Sequence, residues 1–329
     1  MNPAPHGTAP TEVPAERRDA WTRYWASGAL HSCAGSFAGN YSGAIRAFWE
    51  RVYRELPRPA RVLDLCCGNA PLAKLLLELR AEPGIEVDAV DAALVAPAWV
   101  EELPPAERAR VRIHSGVDVA ALPFGEGSVD LCTSQYGIEY VGPAAVAEAR
   151  RVLRSGGRLA AVLHHVDALP VRIAREDLGH LAWLGREGGL FDATTAMLRP
   201  MASSATTEGR ARLQGDAQAL AAREAFNAVQ RELDARCAAA RWPDALQDAR
   251  DACAAVLQQA RMEGEDAAAA TLARVREDVG ALGLRDRELV ECALDESGVR
   301  ALFAPMGDPA IEVLHFDTGD IAGWAATAM

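Results

Sequence analysis

Short apolar runs alternate with amphipathic stretches along the first half of the chain. Strand-like runs of this kind lie at Arg61–Cys66, Ile85–Asp91, Val111–His114, Val129–Ser134 and Leu159–Leu163. Between them, helical periodicity covers Pro71–Arg80, Val95–Leu103 and Ala144–Leu153, and we expect Gly156-Gly157 to end the last helix. Strand–helix units repeated at this length predict a parallel, doubly wound α/β sheet.

The chain before this sheet is helical in pattern and rich in aromatic residues. Trp21, Tyr24 and Trp25 follow the spacing of one helix face, Gly28–Gly35 has the composition of a loop, and Ser42–Glu55 predicts a second helix. We therefore expect an N-terminal helical segment over residues 16–57. Residues 1–15 are rich in Pro, Ala and Thr without an apolar centre, which predicts a disordered tail and not a signal peptide.

The pattern changes after the fifth predicted strand. Residues 171–304 lose strand signals and carry long helical runs at Glu208–Arg241, Pro243–Met262 and Asp266–Leu282. Strands return at Ala310–Phe316 and Ile321–Thr327, which flank the turn residues Asp317–Asp320 and predict a hairpin. We interpret residues 171–304 as an all-helical subdomain inserted into the α/β fold. Three roles are open for this subdomain: it could cap a substrate pocket, form a homodimer interface or dock a protein partner.

Composition excludes several classes of function. The formal net charge of -12 disfavours nucleic acid as a partner, because affinity for polyanions comes from clusters of Lys and Arg. No apolar run predicts a membrane span. The seven cysteines are odd in number, and the adjacent pair Cys66-Cys67 suits neither a disulfide nor a zinc site. We therefore expect reduced thiols, a cytoplasmic protein and no bound metal.

The first predicted strand ends in a turn of small residues. Asp64 is followed at alternating positions by Cys66, Gly68 and Ala70. This stretch resembles motif I of the class I S-adenosylmethionine (SAM)-dependent methyltransferases, in which an acid precedes three alternating glycines. Only Gly68 keeps the glycine, but Cys66 and Ala70 are small enough to leave the turn feasible. The turn alone is equally typical of any parallel strand that leads into a helix.

Two further acids follow the second and third strands. Asp91 ends its strand, where an acid faces the ribose of a bound nucleotide, and Ala92 lies beside it. The segment from Gly116 to Leu131 also resembles the methyltransferase family. The resemblance implies that Asp118 accepts a hydrogen bond from the adenine amine and that the Val119 N–H donates to a ring nitrogen.

The passage from Ala149 to Leu159 and the closing hairpin also match the family. The resemblance implies a seven-stranded, Rossmann-like sheet that ends in an antiparallel hairpin, with SAM as cofactor and S-adenosylhomocysteine as product. The SAM-binding domain then comprises residues 58–170 and 305–329, with residues 16–57 folded over the cofactor as a lid. An NAD-dependent dehydrogenase fits less well, because the first turn lacks Gly-x-Gly-x-x-Gly.

Candidate acceptor-site residues lie at the same edge of the predicted sheet. Ser134 and Gln135 end the fourth strand on the cofactor side, and Tyr136 follows them. His164 and His165 end the fifth strand, where side-chain alternation allows at most one of them to face a pocket. His31 lies in the N-terminal loop. We consider Tyr136 and the three histidines candidates for catalysis.

The predicted reaction is a direct displacement at the SAM methyl group by an oxygen or nitrogen nucleophile of a small molecule. A general base is required only if that nucleophile arrives protonated. Two alternatives remain open. The helical subdomain could grip a protein or peptide substrate, or the degenerate first turn could belong to a non-catalytic SAM-binding scaffold.

Overall fold

The computed structural model describes residues 13–32 and 39–329. Of the predicted tail, only residues 13–15 are described. The last three residues of the predicted loop Gly28–Gly35 also lie outside the described residues. The chain divides into two compact units, one ending at Arg172 and resuming over Glu288–Met329, the other covering Ile173–Arg287.

One sheet organises the first unit. Within the described residues its strands are β1 (Ala60–Leu65), β2 (Ile85–Asp91), β3 (Val111–Ser115), β4 (Val129–Gln135), β5 (Leu153–Leu163), β6 (Ala310–His315) and β7 (Ile321–Ala328). Their order is β3-β2-β1-β4-β5-β7-β6. Strands β1 to β5 pair in parallel, whereas β7 runs antiparallel to both β5 and β6. The predicted doubly wound sheet with a closing antiparallel hairpin is confirmed.

The described helices alternate with these strands and then follow one another through the second unit. They are α1 (Ala15–Ala26), α2 (Gly43–Arg54), α3 (Pro71–Leu79), α4 (Ala98–Glu101), α5 (Pro105–Arg108), α6 (Pro143–Val152), α7 (Leu169–Leu184), α8 (Leu190–Ser203), α9 (Thr207–Leu213), α10 (Ala217–Ala239), α11 (Asp244–Glu263), α12 (Glu265–Cys292) and α13 (Glu296–Phe303).

Both faces of the sheet are buried, as the almost continuous apolar strands require. Along β1, Val62 belongs to one hydrophobic cluster, while Leu63 and Leu65 belong to the other. The first cluster includes side chains of α2 and α3, and the second includes side chains of α6 and α13. Successive strand residues point to opposite faces, so helices on both sides shield the sheet from water.

Two sequence predictions about local structure were wrong. The helix expected over Val95–Leu103 shrinks to α4, which follows Pro97, and Pro105 starts the separate short helix α5. Proline is favoured in the first turn of a helix, because the N–H it lacks has no partner there. Gly156-Gly157 lies inside β5 and not at the end of a helix. The register of β4 against β5 shifts there, and Gly156 has a φ of +77°.

All the secondary-structure elements described in the second unit are helices. Helix α8 packs against α10 and α11 around a core that includes Leu184, Leu190, Leu233, Leu246 and Cys253. The predicted helix Glu208–Arg241 is instead α9 and α10. A short break separates the two helices and ends at Asp216. The Asp216 side chain caps α10, because it accepts hydrogen bonds from the N–H groups of Gln218 and Ala219.

The predicted subdomain boundary at residue 304 extends too far. Helix α13 belongs to the first unit, because Val299, Leu302 and Phe303 are buried in the sheet's second cluster. The role of the helical unit as a cap or as a dimer interface remains a prediction. Across the part of the chain that the structure describes, no helix has the length and apolar character needed to cross a membrane.

Candidate functional site

A pocket of about 860 Å³, counted with its open mouth, lies at the carboxyl ends of β1, β2 and β4. Ligands of open α/β sheets bind at this edge. The predicted binding residues on its wall are Asp64, Cys66, Asp91, Ala92, Asp118, Val119 and Gln135. Gly68, Ala70 and Ser134 do not line it, and among the candidate catalytic residues only His31 and Tyr136 do.

The turn after β1 keeps the backbone of a glycine-rich loop although only one of the three alternating positions is glycine. Cys66, Gly68 and Ala70 have φ values of 55°, 52° and 55°, all in the left-handed region. For a residue with a side chain this conformation costs about 1–2 kcal/mol. A Cβ added to Gly137 would overlap that of Cys66, so the side chain that Cys66 adds to the turn requires glycine at position 137.

Asp64 presents a buried carboxylate oxygen with no partner. Its side chain is 1% exposed, and Oδ1 accepts a hydrogen bond from Thr133 Oγ1 at 3.0 Å. Oδ2 has no hydrogen-bond partner among the described residues. Burial raises the pKa of Asp64 to about 8. A carboxyl group held this way favours a cationic ligand, which would stabilise its ionised form.

Gln135 presents the complementary group, an unmatched donor. Its Oε1 accepts from the indole N–H of Trp49 at 2.7 Å, which fixes the orientation of the amide. The buried Nε2 has no acceptor among the described residues. Asp64 and Gln135 therefore bring a free acceptor and a free donor to one pocket, and buried polar atoms normally have a partner.

Asp91 connects the turn after β1 to the end of β2. One carboxylate oxygen accepts from the N–H of Gly68 and the other from the N–H of Ala93, both at 2.8 Å. Burial raises the pKa of Asp91. Each oxygen keeps a second lone pair, so the side chain can also accept from a pair of ligand hydroxyls. Asp118 is less constrained, because its Oδ1 accepts only from the Ala120 N–H, at 2.8 Å.

Helix α1 covers the pocket with aromatic rings. The indoles of Trp21 and Trp25 stack with their centroids 5.7 Å apart, and Trp21 meets Tyr140 edge-on at 6.0 Å. All three line the pocket together with Arg17 and Arg18. The wall formed by α1 is therefore aromatic and basic, whereas the wall formed by the strand ends is acidic.

Hydrogen bonds hold α1 on the loops that follow the strands. Asn69 Nδ2 donates to the carbonyl of Trp25 at 3.0 Å, and Arg17 donates to the carbonyl of Tyr140 at 3.2 Å. The Trp25 indole covers Gly68 so closely that an added Cβ would overlap the ring. The predicted lid thus has the contacts that this role requires, although the role itself remains a prediction.

His31 and Tyr136 lie on the pocket wall, as expected, and each side chain makes a hydrogen bond to a backbone carbonyl. His31 Nε2 donates to the Gly39 carbonyl at 3.0 Å, and burial lowers the pKa of the ring. Tyr136 has a φ of 55° and donates its hydroxyl to the carbonyl of Ala322 at 3.0 Å. These contacts position the two rings, and the catalytic role of either residue stays a prediction.

The two adjacent histidines at the end of β5 diverge. His164 stacks on Tyr136 with centroids 4.3 Å apart and bonds through Nδ1 to Glu139 at 2.8 Å. His165 stacks on Trp324 and accepts the Asp167 N–H, and burial lowers its pKa. His165 is therefore a poor candidate for catalysis, since strand alternation turns it away from Tyr136.

Ser134 is structural and not part of the pocket wall. Its hydroxyl donates to the Leu65 carbonyl at 3.0 Å and accepts the Ile138 N–H at 3.2 Å. The side chain is fully buried, because β4 lies between β1 and β5. The assignment of Ser134 as a cofactor-binding residue stays a prediction, and its hydroxyl is already engaged in these two hydrogen bonds.

Sequence reasoning missed Glu139 and the two arginines of α1. An acid within the apolar stretch Ile138-Glu139-Tyr140-Val141 was a usable signal, since such a side chain needs a buried partner. Arg17 and Arg18 gave no comparable signal, because their place over the pocket depends on how α1 docks. Across residues 13–32 and 39–329, no cluster of three or more His, Cys, Asp or Glu could hold a metal ion.

Known proteins resemble the part of the chain that builds this pocket. Residues 62–157 match a family model described as a methyltransferase domain. Two curated relatives are ubiquinone/menaquinone biosynthesis C-methyltransferases. The protein of Dinoroseobacter shibae is 36% identical over 125 residues, and that of Paracoccus denitrificans is 34% identical over 149 residues.

These similarities cover part of each protein. The two alignments span 36% and 40% of this chain, and 49% and 58% of the relatives' own lengths. Among solved structures, the YcgJ protein of Bacillus subtilis is similar at 28% identity with a TM-score of 0.32, over 42% of this chain and 57% of that one.

Proposed function

The chain carries a class I SAM-dependent methyltransferase domain, and we propose that this domain transfers the methyl group of SAM to a small-molecule acceptor. The cofactor would lie in the pocket at the carboxyl ends of β1, β2 and β4. The whole protein's reaction and its acceptor are part of this proposal, because the similarity covers only part of the chain.

The observation that carries the proposal is the pair of unmatched buried atoms, Asp64 Oδ2 and Gln135 Nε2. The amino-acid end of SAM has an ammonium group and a carboxylate, which match an acceptor and a donor respectively. Asp91 has lone pairs available for the ribose hydroxyls. Asp118 and the Val119 N–H lie on the same wall and are assigned to the adenine.

Bound SAM supplies an electrophilic methyl group on a sulfonium and leaves as S-adenosylhomocysteine. The chain's own residues bind the two reactants, orient them and enclose them. The acids at the strand ends hold the cofactor. The rings of Trp21 and Trp25 cover the pocket and exclude water from it. Orientation in a closed site can lower a barrier by as much as about 7–11 kcal/mol.

The acceptor is proposed to be flat and weakly polar. Trp21, Tyr136 and Tyr140 line the pocket, and aromatic walls favour aromatic or conjugated ligands. An oxygen or nitrogen nucleophile is expected from the sequence. The names of the two relatives add carbon as a candidate, since both are called C-methyltransferases.

A non-catalytic SAM-binding protein is the second candidate. The turn after β1 favours it, because Cys66 and Ala70 stand where motif I of the methyltransferase family has glycines. In that case the pocket would bind SAM without admitting an acceptor.

The six described cysteines are free, which supports a reducing, cytoplasmic location as part of the same proposal.

Methyl transfer can be tested with the full chain and SAM labelled in its methyl group. Hydroxyarenes, enols, amines and carboxylic acids would be offered separately, and labelled product and S-adenosylhomocysteine would both be measured. Product that depends on the acceptor supports the enzyme. Cofactor binding without product from any acceptor supports the scaffold, and absence of cofactor binding contradicts both.

A further inference from the structure

A carboxylate and an imidazole are paired behind the aromatic wall of the pocket. Glu139 Oε1 accepts from His164 twice, from the backbone N–H at 3.0 Å and from Nδ1 at 2.8 Å. The Glu139 side chain has 0% exposure and that of His164 has 5%. Two bonds to one oxygen hold the imidazole in a single orientation.

This orientation decides which ring nitrogen can accept a proton. A carboxylate at Nδ1 fixes the tautomer with its proton there, so Nε2 carries the lone pair. Nε2 makes no hydrogen bond to any described residue, and it is not among the polar atoms sealed from solvent without a partner. It is therefore a free proton acceptor.

Two aromatic residues connect this nitrogen with the pocket. The His164 ring stacks on Tyr136 at 4.3 Å and meets Tyr140 edge-on at 5.9 Å. Both tyrosines line the pocket, whereas His164 lies one ring behind its wall. An acceptor that enters between the tyrosines would bring its polar group to the imidazole.

Glu139 is also placed to stabilise the protonated ring. Its second oxygen, Oε2, is buried and has no hydrogen-bond partner among the described residues. A buried carboxylate is costly unless a positive charge lies beside it, so Glu139 is placed to pair with an imidazolium that forms during the reaction. A histidine that bonds an acid through Nδ1 and accepts a proton at Nε2 has the arrangement of a general base.

The remaining charges select the kind of acceptor. With the strand-end acids assigned to the cofactor, the groups left over the acceptor space are aromatic rings and the guanidinium of Arg18, because Arg17 is paired with Glu288 at 2.5 Å. Guanidinium groups stabilise an anion and repel an ammonium ion. The acceptor that fits is thus neutral when it arrives and anionic once its proton is removed.

We infer that His164 is the general base of the proposed methyl transfer, that Glu139 positions it, and that the acceptor is a hydroxyarene or enol. This inference rests on the proposed function. His164 Nε2 takes the hydroxyl proton, and the electron pair of the resulting anion forms a bond from its oxygen or conjugated carbon to the methyl carbon. The pair of the broken carbon–sulfur bond stays on the departing sulfur, and the imidazolium proton passes to solvent.

Three variants separate this role from a structural one. In His164→Asn the amide can still donate to Glu139 from the position of Nδ1, but no atom replaces Nε2. In Glu139→Gln a carbonyl oxygen remains for Nδ1 and the charge is lost. His114→Asn is the matched control, because His114 makes a hydrogen bond of the same length, 2.8 Å, to Asp88 away from the pocket wall.

We expect His164→Asn to lower kcat for hydroxyarenes by about 100-fold or more while the affinity for SAM stays within about two-fold. Glu139→Gln should lower kcat by a smaller factor, and His114→Asn should leave it unchanged. At saturating SAM, which removes the effect of Asp64 on cofactor affinity, the wild-type kcat should fall toward acid pH, and that fall should be absent from the residual kcat of His164→Asn. Full activity in His164→Asn would overturn the inference.

A spectroscopic measurement needs no turnover. 4-Nitrophenol is titrated into the complex with S-adenosylhomocysteine in slightly acidic buffer, and its yellow phenolate is measured. The wild type should bind it as phenolate, and His164→Asn should bind it as the colourless phenol or not at all. If wild-type protein binds the cofactor but neither binds nor methylates any hydroxyarene, the assigned acceptor class is wrong. If it does not bind the cofactor, the proposed function itself fails.

Discussion

The acids at the strand ends differ in how much of the structure depends on them. Asp91 accepts from two backbone N–H groups that belong to two separate loops, whereas Asp118 accepts from one N–H two residues further along the chain. Sequence analysis assigned Asp91 to the ribose and Asp118 to the adenine but could not separate their structural roles, because strand position indicates where an acid lies and not what else it holds.

Alanine at these positions should therefore have different effects. Asp118→Ala should weaken the binding of S-adenosylhomocysteine by about 1–3 kcal/mol with little change in Tm. Asp91→Ala should weaken binding similarly and also lower the free energy of unfolding, because the N–H groups of Gly68 and Ala93 lose their acceptor. Calorimetric titration and thermal unfolding measure the two quantities. Unchanged affinity in both variants would contradict the site assignment.

Asp64 makes cofactor binding depend on pH. In the free protein its pKa is raised to about 8, so the carboxyl group is protonated at lower pH. An ammonium group beside Oδ2 favours the ionised form, and binding must then release a proton. Affinity for SAM should rise with pH up to about 8, and binding near neutral pH should release up to one proton.

Calorimetry in two buffers of different ionisation enthalpy counts that proton. Asp64→Asn is the control, because it shares the titration of the ligand but has no carboxyl group. Equal proton release in the wild type and in Asp64→Asn would show that Asp64 does not face the ammonium group.

Among the elements, the strands were the most predictable and the loops the least. The apolar runs of β1, β2 and β4 identified their strands, because burial on both faces leaves a continuous signal. Prolines were less informative: Pro97 precedes α4 and Pro105 begins α5, although the sequence pattern predicts one helix over Val95–Leu103. Gly156-Gly157 predicts the end of a helix, yet glycine also permits the irregular pairing inside β5.

Pocket residues at strand ends were also easier to predict from the sequence than pocket residues in loops. Residues next to strand ends, such as Asp64, Asp91 and Gln135, could be placed from the sequence because the fold brings strand ends together. The pairing of Glu139 with His164 could not, since it depends on the path of a loop. The docking of α1 on Gly68 depends on tertiary packing, which no local pattern encodes.

Helix α1 should control how fast the cofactor enters and leaves. Trp25 covers Gly68, and Asn69 holds the carbonyl of Trp25. Trp25→Ala removes the covering ring, so association and dissociation of S-adenosylhomocysteine should both become faster, by about ten-fold. Stopped-flow fluorescence measures the two rates. Trp183→Ala in the helical unit is the control and should leave them unchanged. Identical rates in Trp25→Ala would mean that α1 is not a lid.

At the scale of the whole molecule, the two units carry separate sets of buried acids. In the helical unit, burial and the charge of Asp177 raise the pKa of Asp286 to about 7. Burial likewise raises the pKa of Asp177 to about 6. Neither acid lines the pocket, so both affect stability independently of the proposed reaction.

The Asp286 carboxyl group should make the protein less stable as pH rises. Folded protein keeps its proton up to about pH 7, whereas the unfolded chain releases it near the ordinary value of 3.8. Between these values the folded state binds more protons, so stability falls with rising pH and levels off above about 7. Asp286→Asn should be more stable than the wild type above about pH 7, by roughly 1–3 kcal/mol.

That difference should vanish below about pH 4, where the carboxyl group is protonated in both states. Denaturant unfolding across pH measures it. Asp251→Asn serves as the control, because the Asp251 side chain is 76% exposed. A difference that does not change with pH would contradict the assignment.

The most direct test of the account is calorimetric titration of the full chain with S-adenosylhomocysteine, with NAD as the competing dinucleotide. The account predicts saturable binding of S-adenosylhomocysteine at one site, weakened in Asp118→Ala, and no binding of NAD. Binding of NAD in its place, or of neither ligand, would contradict the assignment of the pocket to SAM.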